Sequence, residues 1–206
     1  METLTVPRGE SPIGEKELAL IRQAAVRRRK VQRAAAVARS SAVATLVIGF
    51  LALPLVVVSP SLSGVVVMAG VIAVGVREWM GQEKMRRAEA GAARHLGWNQ
   101  VALLGVITFY CLLEMAAISA EEMKTAAMSA KEQLAALLPG MTVEMDRRIE
   151  TLVPYLVYGF YTLVILVSAA FQGGMALYYF TRRKHVEAFN RETPEWVRKI
   201  FVEVYR

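Results

Sequence analysis

The chain has 206 residues, of which 55% are hydrophobic, and its 25 Lys and Arg against 18 Asp and Glu give a formal net charge of +7. So high an apolar fraction in so short a chain excludes an ordinary soluble domain and predicts a membrane protein. The basic residues cluster beside apolar runs, which favours anionic membrane lipid over nucleic acid as their partner. The only cysteine, Cys111, lies in an apolar run, which excludes an intramolecular disulfide and a cysteine-based metal site.

The first forty residues are polar and charged, and they predict a cytoplasmic N-terminal helix over residues 1–40. A signal peptide is not expected, because a long charged segment precedes the first apolar run and no cleavage pattern follows a short apolar segment. The basic residues just before that run are expected to hold this end in the cytoplasm and to contact anionic lipid. The residues assigned to lipid contact here are Arg27, Arg28, Arg29, Lys30 and Arg33.

Two apolar runs follow and predict the first pair of transmembrane helices, at residues 42–58 and 62–79. A tight turn at residues 59–61 joins them and leaves no room for a binding loop. The second run carries small residues, which let helix backbones approach closely, so the pair is expected to form a packed hairpin. A shallow re-entrant hairpin is the alternative. The glycines assigned to the packing face are Gly64, Gly70 and Gly75.

A basic, Ala-rich connector at residues 77–99 is expected to be helical with breaks at glycine, and it leads into the third span at residues 98–119. Asn99 and Gln100 are expected to cap this span or to form hydrogen bonds between helices. The span contains Glu114, the one acidic residue within an apolar run. An intramembrane carboxylate indicates a functional site by default. A structural or interfacial role competes with that interpretation, because Glu114 lies near the outer end of the span and can reach water.

Residues 120–151 are predicted to form a helical hairpin on the far side of the membrane. Apolar residues recur at helical spacing from Met123 to Leu138, and Pro139-Gly140 interrupts the pattern. A second short helix then leads into the last span. The apolar stripe of the hairpin is expected to be covered by its own partner helix, by lipid or by another protein.

The last span is predicted at residues 152–180, a stretch of 29 residues without Asp, Glu, Lys, Arg or His. About 20 apolar residues cross the hydrocarbon core, so this is the clearest membrane segment of the chain. Small residues near its inner end predict a second packing face, with Gln172 forming a hydrogen bond across it. Gln172 and Glu114 together are the candidate intramembrane polar site. The small residues of this face are Ala169, Gly173 and Gly174.

The remaining segment, residues 181–206, is predicted to be a cytoplasmic tail. Its first cations, Arg182, Arg183 and Lys184, complete the set assigned to anionic lipid. Beyond a turn before Pro194, the sequence predicts a short amphipathic helix that has no core of its own. Such a helix is expected to lie in the membrane interface or to dock on another protein. The docking face consists of Trp196, Val197, Ile200, Phe201 and Val204.

The distribution of Lys and Arg predicts the orientation of the chain. The N-terminal forty residues carry nine, the 77–99 connector five and the segment after Phe180 seven, whereas the 120–151 loop carries four against six acidic residues. The positive-inside rule therefore places both termini and the connector in the cytoplasm, as an even number of spans requires. The sequence predicts an all-α, polytopic protein of the bacterial inner membrane, with a four-helix transmembrane domain at residues 41–180.

Sequence motifs for catalysis and cofactor binding are absent. The chain has no phosphate-binding Gly loop, no nucleophile elbow, no His-Glu-x-x-His and no Cys/His metal spacing. We therefore expect a non-catalytic protein without a cofactor, whose partners are lipids and other membrane subunits or copies of itself, and not nucleic acid. The favoured hypothesis is a structural or assembly subunit of a membrane complex or homo-oligomer. The alternative is a small transporter or channel subunit with Glu114 as its polar site.

Overall fold

The computed structural model describes residues 14–58, 61–137 and 143–204, and within these ranges the chain is helical apart from short turns. Four of the helices contain segments long and apolar enough to cross a membrane, namely α1, α2, α3 and α5. The prediction of an all-α chain with four candidate spans is confirmed. The helices are α1 (Glu15–Val58), α2 (Leu62–Arg86), α3 (Ala92–Ala117), α4 (Ala120–Leu137), α5 (Val143–Glu192) and α6 (Glu195–Val204).

Two helices continue well beyond the apolar segments that predict the spans. Helix α1 begins at Glu15, although the first apolar run begins near residue 42, and α5 continues to Glu192, although the last run ends at residue 180. The residues at these boundaries are helix-compatible, and neither boundary contains Pro or Gly, so nothing in the local sequence ends the helix there. Residues 15–40 of the polar N-terminal segment and the start of the tail are therefore continuous with the candidate spans, and residues 1–13 of the predicted N-terminal helix lie outside the described residues.

These extensions build the main buried core, which lies at the end of the bundle where α1 begins and α5 ends, here called the terminal end. Alanines supply most of the contribution of α1, and their small side chains let its backbone approach its neighbours closely. The charged N-terminal segment is thus part of a folded core. Its buried members are Ala24, Val31, Ala34, Ala35 and Ala38 of α1, Met85 of α2, Ala88 of the following turn, Ala92, Ala93 and Leu96 of α3, Tyr179, Val186 and Phe189 of α5, and Val197 of α6.

The turn between α2 and α3 is the one break within the 77–99 connector. Gly91 has a φ of +84°, in the left-handed region that glycine adopts without strain. Ala88 also has a positive φ, of 55°, and its carbonyl oxygen accepts a hydrogen bond from the side-chain amide of Asn190 at 2.9 Å. This bond fixes the turn against α5. Two other glycines of the connector, Gly81 and Gly97, lie inside helices.

The tail helix α6 packs on α1 of the same chain. Val197 has no exposed surface, and Phe201 packs against the same core. The guanidinium of Arg28 lies 5.1 Å from the centre of the Phe201 ring, an arrangement that favours a cation–π contact. Arg27 forms an ion pair with Glu192 at 2.8 Å. The expectation of docking outside the chain is therefore wrong for Val197 and Phe201, because the extended α1 provides an apolar surface on which they pack.

The rest of the predicted docking face is divided. Trp196 and Ile200 remain 41% and 42% exposed, so they stay available to lipid or to another protein. The side chain of Val204 lies outside the described residues. The tail helix therefore has one covered edge and one open edge.

At the opposite end of the bundle, here called the far end, α4 packs on the beginning of α5. Ser119 and Glu122 form a reciprocal capping box at the start of α4, with the Ser119 amide donating to Glu122 Oε2 at 2.7 Å and the Glu122 amide to Ser119 Oγ at 3.2 Å. Lys131 Nζ pairs with Glu150 Oε1 at 2.6 Å. The predicted break at Pro139-Gly140 lies outside the described residues. An ion pair thus joins the two helices that follow each other at this end.

The tight contact at Gly97 gives a test of this packing. A Cβ atom at Gly97 would lie 2.6 Å from the Phe180 ring, whereas one at Gly105 would meet nothing within 4 Å. We expect Gly97→Ala to lower the free energy of unfolding by about 1–3 kcal/mol through overpacking. The matched control Gly105→Ala should be neutral or stabilising by about 0.5–1 kcal/mol. Unfolding in detergent followed by circular dichroism measures both, and equal effects of the two substitutions would contradict the packing.

Candidate functional site

The most deeply buried polar side chains of the described ranges cluster between α2 and α3. Glu78 and Gln100 have no exposed surface, and Asn99 has 2%. The Gln100 side-chain amide donates a hydrogen bond from Nε2 to Glu78 Oε1 at 2.5 Å. Asn99 Nδ2 donates to the carbonyl oxygen of Val74, one turn before Glu78, at 3.0 Å. The two amides that open the third predicted span therefore form hydrogen bonds between helices.

The other two long helices each direct a hydroxyl group towards Glu78. Ser41 of α1 and Tyr179 of α5 lie within reach of its carboxyl group. Even so, Glu78 Oε2 and the Tyr179 hydroxyl are buried without a hydrogen bond of good geometry. Buried polar atoms are nearly always paired, so a carboxyl group with an incompletely satisfied oxygen is unusual. All four candidate spans therefore meet at Glu78, which we call the Glu78 cluster.

Only a weak signal in the sequence indicates this cluster. Glu78 stands between Arg77 and Trp79 at the end of an apolar run, where a charged residue ordinarily faces water. That signal is the helical register: Glu78 lies four residues after Val74 and three after Gly75, which places it on the buried face of α2.

Glu114, the predicted intramembrane acid, lies at the far end of the bundle. Its side chain is half-buried, and its Oε1 accepts a hydrogen bond from Ser63 Oγ at 2.7 Å. Ser63 lies in the first turn of α2, which Ser61 caps by accepting from the Gly64 amide at 3.0 Å. Glu114 therefore ties the far ends of α2 and α3 together.

Gln172, the other member of the predicted polar site, lies in a different place. It lines a groove of about 580 Å³ between α1 and α5, here called the α1–α5 groove. Its neighbours there include Ser40, Ser41 and Thr45 of α1. Glu114 forms its hydrogen bond with α2 at the far end, so the structure does not bring Glu114 and Gln172 together.

The two predicted small-residue faces differ in what they contact. On α2, a Cβ atom at Gly75 would lie 2.8 Å from Leu46 Cδ2, and one at Gly70 would lie 3.1 Å from Val106 Cγ1. At Gly64 the close atom is Ser61 Oγ, at 2.8 Å, which belongs to the helix cap. On α5, no atom lies within 4 Å of a Cβ placed at Gly173 or Gly174.

The α5 face also includes Ala169, which is half-buried. The α2 glycines therefore lie where neighbouring helices approach closely, and the α5 glycines lie open. Small residues of the same type serve different purposes on the two helices.

The predicted lipid-contacting cations also fall into groups. Arg28 is 5% exposed and covers Phe201, so its assignment to lipid contact is wrong. Arg27 pairs with Glu192, and Arg183 pairs with Glu187 at 2.5 Å. Arg182 lies over the Tyr178 ring, 4.6 Å from its centre. The cations that are exposed and have no ion pair among the described residues are Arg29, Lys30, Arg33 and Lys184.

Comparisons with known proteins and a search for metal ligands give no further assignment. No family model matches the chain, and no curated protein or solved structure matches it significantly. In the ranges that the structure describes, no three His, Cys, Asp or Glu side chains lie close enough together to hold a metal ion. The candidate sites are therefore judged from their own geometry.

His185 gives the terminal end a testable pH dependence. Partial burial, and then the nearby cations Lys30, Arg182 and Lys184, lower its pKa from the ordinary value of 6.5. Below that value the unfolded chain binds a proton more readily than the folded chain, so stability is full above about pH 6.5 and declines as the pH falls towards the folded pKa. We expect His185→Gln to reduce the fall in the thermal midpoint between pH 7.5 and pH 5. An unchanged fall would contradict this assignment.

Proposed function

We propose that the chain is a non-catalytic integral membrane protein and serves as a structural or assembly subunit. It crosses a bacterial inner membrane four times, with the terminal end in the cytoplasm, in keeping with the excess of Lys and Arg there. It joins copies of itself or another membrane protein through an open stripe on α5. Assembly is supported by a contrast between two sets of glycines. Side chains of the same chain pack closely against glycines of α2, whereas they leave the glycines of α5 open.

The open stripe on α5 runs along one face of the helix. At 100° per residue, Gly159, Ala170 and Gly174 lie within about 60° of one another. All three are exposed, and a Cβ at either glycine would meet no atom within 4 Å. Large apolar side chains flank the stripe, with Phe171 70% and Leu177 67% exposed. The result is a shallow furrow between bulky side chains, a shape that accepts a second helix.

Physical reasons favour a helix as the occupant of this furrow. Apolar side chains gain little by leaving lipid for protein, so helices associate in membranes through close packing and backbone contacts, which small residues permit. A glycine inside a helix costs about 0.5–1 kcal/mol relative to alanine. On α2 the close approach of Leu46 to Gly75 offsets that cost, and on α5 nothing in the described chain does so.

The assembly proposal is tested by filling the furrow. We expect Gly174→Leu to weaken association about tenfold, because it removes two or three close backbone contacts that contribute about 0.5–1 kcal/mol each. The matched control is Gly105→Leu, at an equally open glycine on α3. Counting subunits per particle in lipid nanodiscs, and identifying co-purified proteins, measures the effect. A parent chain that is strictly monomeric and alone, or equal effects of the two variants, would contradict the proposal.

A second candidate function, transport of protons or small cations, is favoured by the Glu78 cluster. An ionisable residue buried among membrane helices is a functional candidate by default. Glu78 fits this description better than Glu114, because it is fully buried, is reached from all four candidate spans and has an unpaired oxygen. Glu114 is half-buried and accepts a hydrogen bond from Ser63.

The two acids can be separated by a flux measurement in vesicles. If the chain transports, we expect Glu78→Gln to abolish the flux of protons or of a monovalent cation, because the amide keeps the size of the side chain and removes its titratable group. The matched control Glu114→Gln should retain most of the flux. No flux in the parent, or loss in the Glu114 variant alone, would remove Glu78 as a transport site.

A further inference from the structure

The α1–α5 groove has polar side chains at its middle level. Ser40, Ser41 and Gln172 lie there, with Val37 and Met175 nearer the terminal end and Ile48 nearer the far end. Among the described residues Ser40 has no hydrogen-bond partner for its side chain. A bare hydroxyl group facing hydrocarbon is unfavourable. The groove therefore suits a ligand that brings hydrogen-bond acceptors to this middle level and also has an apolar part.

Three cations stand above this groove at the terminal end. Arg33 precedes Val37, a lining residue, by one helical turn, and Lys30 precedes it by two. Arg182 follows Met175, a lining residue of α5, by two turns. Lys30 and Arg182 both act on His185 electrostatically, so cations of both helices lie near that side chain.

These three cations are not neutralised by carboxylates. The neighbouring Arg27 and Arg183 pair with Glu192 and Glu187. By contrast, Lys30, Arg33 and Arg182 have no ion pair in the described ranges, and Arg182 Nε is buried without a hydrogen-bond acceptor. Three cations without an ion pair therefore stand above the groove, although acidic partners neutralise other cations at the same end.

We propose that the α1–α5 groove is a binding site for one anionic diacyl phospholipid from the leaflet at the terminal end. The phosphate group lies among Lys30, Arg33 and Arg182, which act as charge-assisted donors. The glycerol and ester oxygens accept hydrogen bonds from Ser40 and the Gln172 amide. An acyl chain passes Ile48 towards the far end. The volume of about 580 Å³ lies within the ordinary range of small-molecule sites.

Charge decides between lipid and protein as the occupant. A second copy of this chain carries a net charge of +7 and would bring its own cations to the same level of the membrane. An anionic lipid instead neutralises the cations, and a zwitterionic lipid does so less well. The glycines of the proposed assembly stripe face away from the site, because Gly174 points about 160° away from Gln172 around α5, measured the shorter way round. Phe171 borders both surfaces.

The test is native mass spectrometry of the full-length chain in detergent, titrated with phosphatidylglycerol or phosphatidylcholine of the same acyl chains. We expect one retained phosphatidylglycerol, bound at least about tenfold more tightly than phosphatidylcholine. Arg33→Gln combined with Arg182→Gln should weaken phosphatidylglycerol binding about 10- to 30-fold, since each cation near an anionic lipid contributes roughly one factor of five. The matched control, Arg39→Gln with Arg183→Gln, also removes two charges and should change binding less than about twofold.

A second pair of variants tests the groove itself. Ala44 is exposed and lines the groove, and the adjacent Val43 is exposed outside it. We expect Ala44→Phe to lower phosphatidylglycerol retention about tenfold and Val43→Phe to leave it unchanged. Equal binding of the two lipids, equal losses in both charge variants, or full retention in Ala44→Phe would each overturn the proposal. So would a cross-link from a cysteine at Ala44 to the same position of a second copy.

Discussion

The arrangement of this chain depends on the contact between the extensions of α1 and α5 beyond their apolar segments. Val31, Ala34 and Ala38 on one helix and Val186 and Phe189 on the other belong to a single buried core. In lipid alone, the four helices would gain little from apolar contact with one another. At the terminal end, water surrounds the bundle in our topology, so burial of these side chains drives association at about 25 cal/mol per Å². The extensions therefore act as a clamp on the candidate spans.

This clamp holds together the part of the bundle that contains the Glu78 cluster. Close to it, Gly97 meets Phe180 and Gln100 bonds to Glu78 with no exposed surface at either residue. On the outside of the bundle, the α1–α5 groove lies between these two helices, and a Cβ atom at either Gly173 or Gly174 would meet no atom within 4 Å. The inner faces of the helices hold the Glu78 cluster, while the outer faces present the surfaces that we assign to lipid and to a partner helix. Ser41 belongs to both, because it lies within reach of Glu78 and lines the groove.

The four helices were predictable because an uncharged stretch long enough to cross lipid is a local property of the sequence. The terminal core was not, since Ala34, Ala35 and Ala38 stand among Arg and Gln and resemble a solvated helix. Glu78 was missed for a related reason: its burial depends on α1, α3 and α5 arriving from elsewhere in the chain. Pairing of Arg27 with Glu192 likewise requires the fold. Asn99 and Gln100 were predicted from their polarity either to cap the third span or to form hydrogen bonds between helices, and the structure shows the second role.

Hydrogen–deuterium exchange of the full-length chain in lipid nanodiscs tests most directly whether the extensions form one core. Because residues 24–38 and 179–197 bury their side chains against each other, their backbone amides should exchange slowly and lose protection together as denaturant is added. Rapid exchange over residues 24–38, at the rate of an isolated helix, with slow exchange confined to the apolar runs, would contradict the clamp and the surfaces that depend on it.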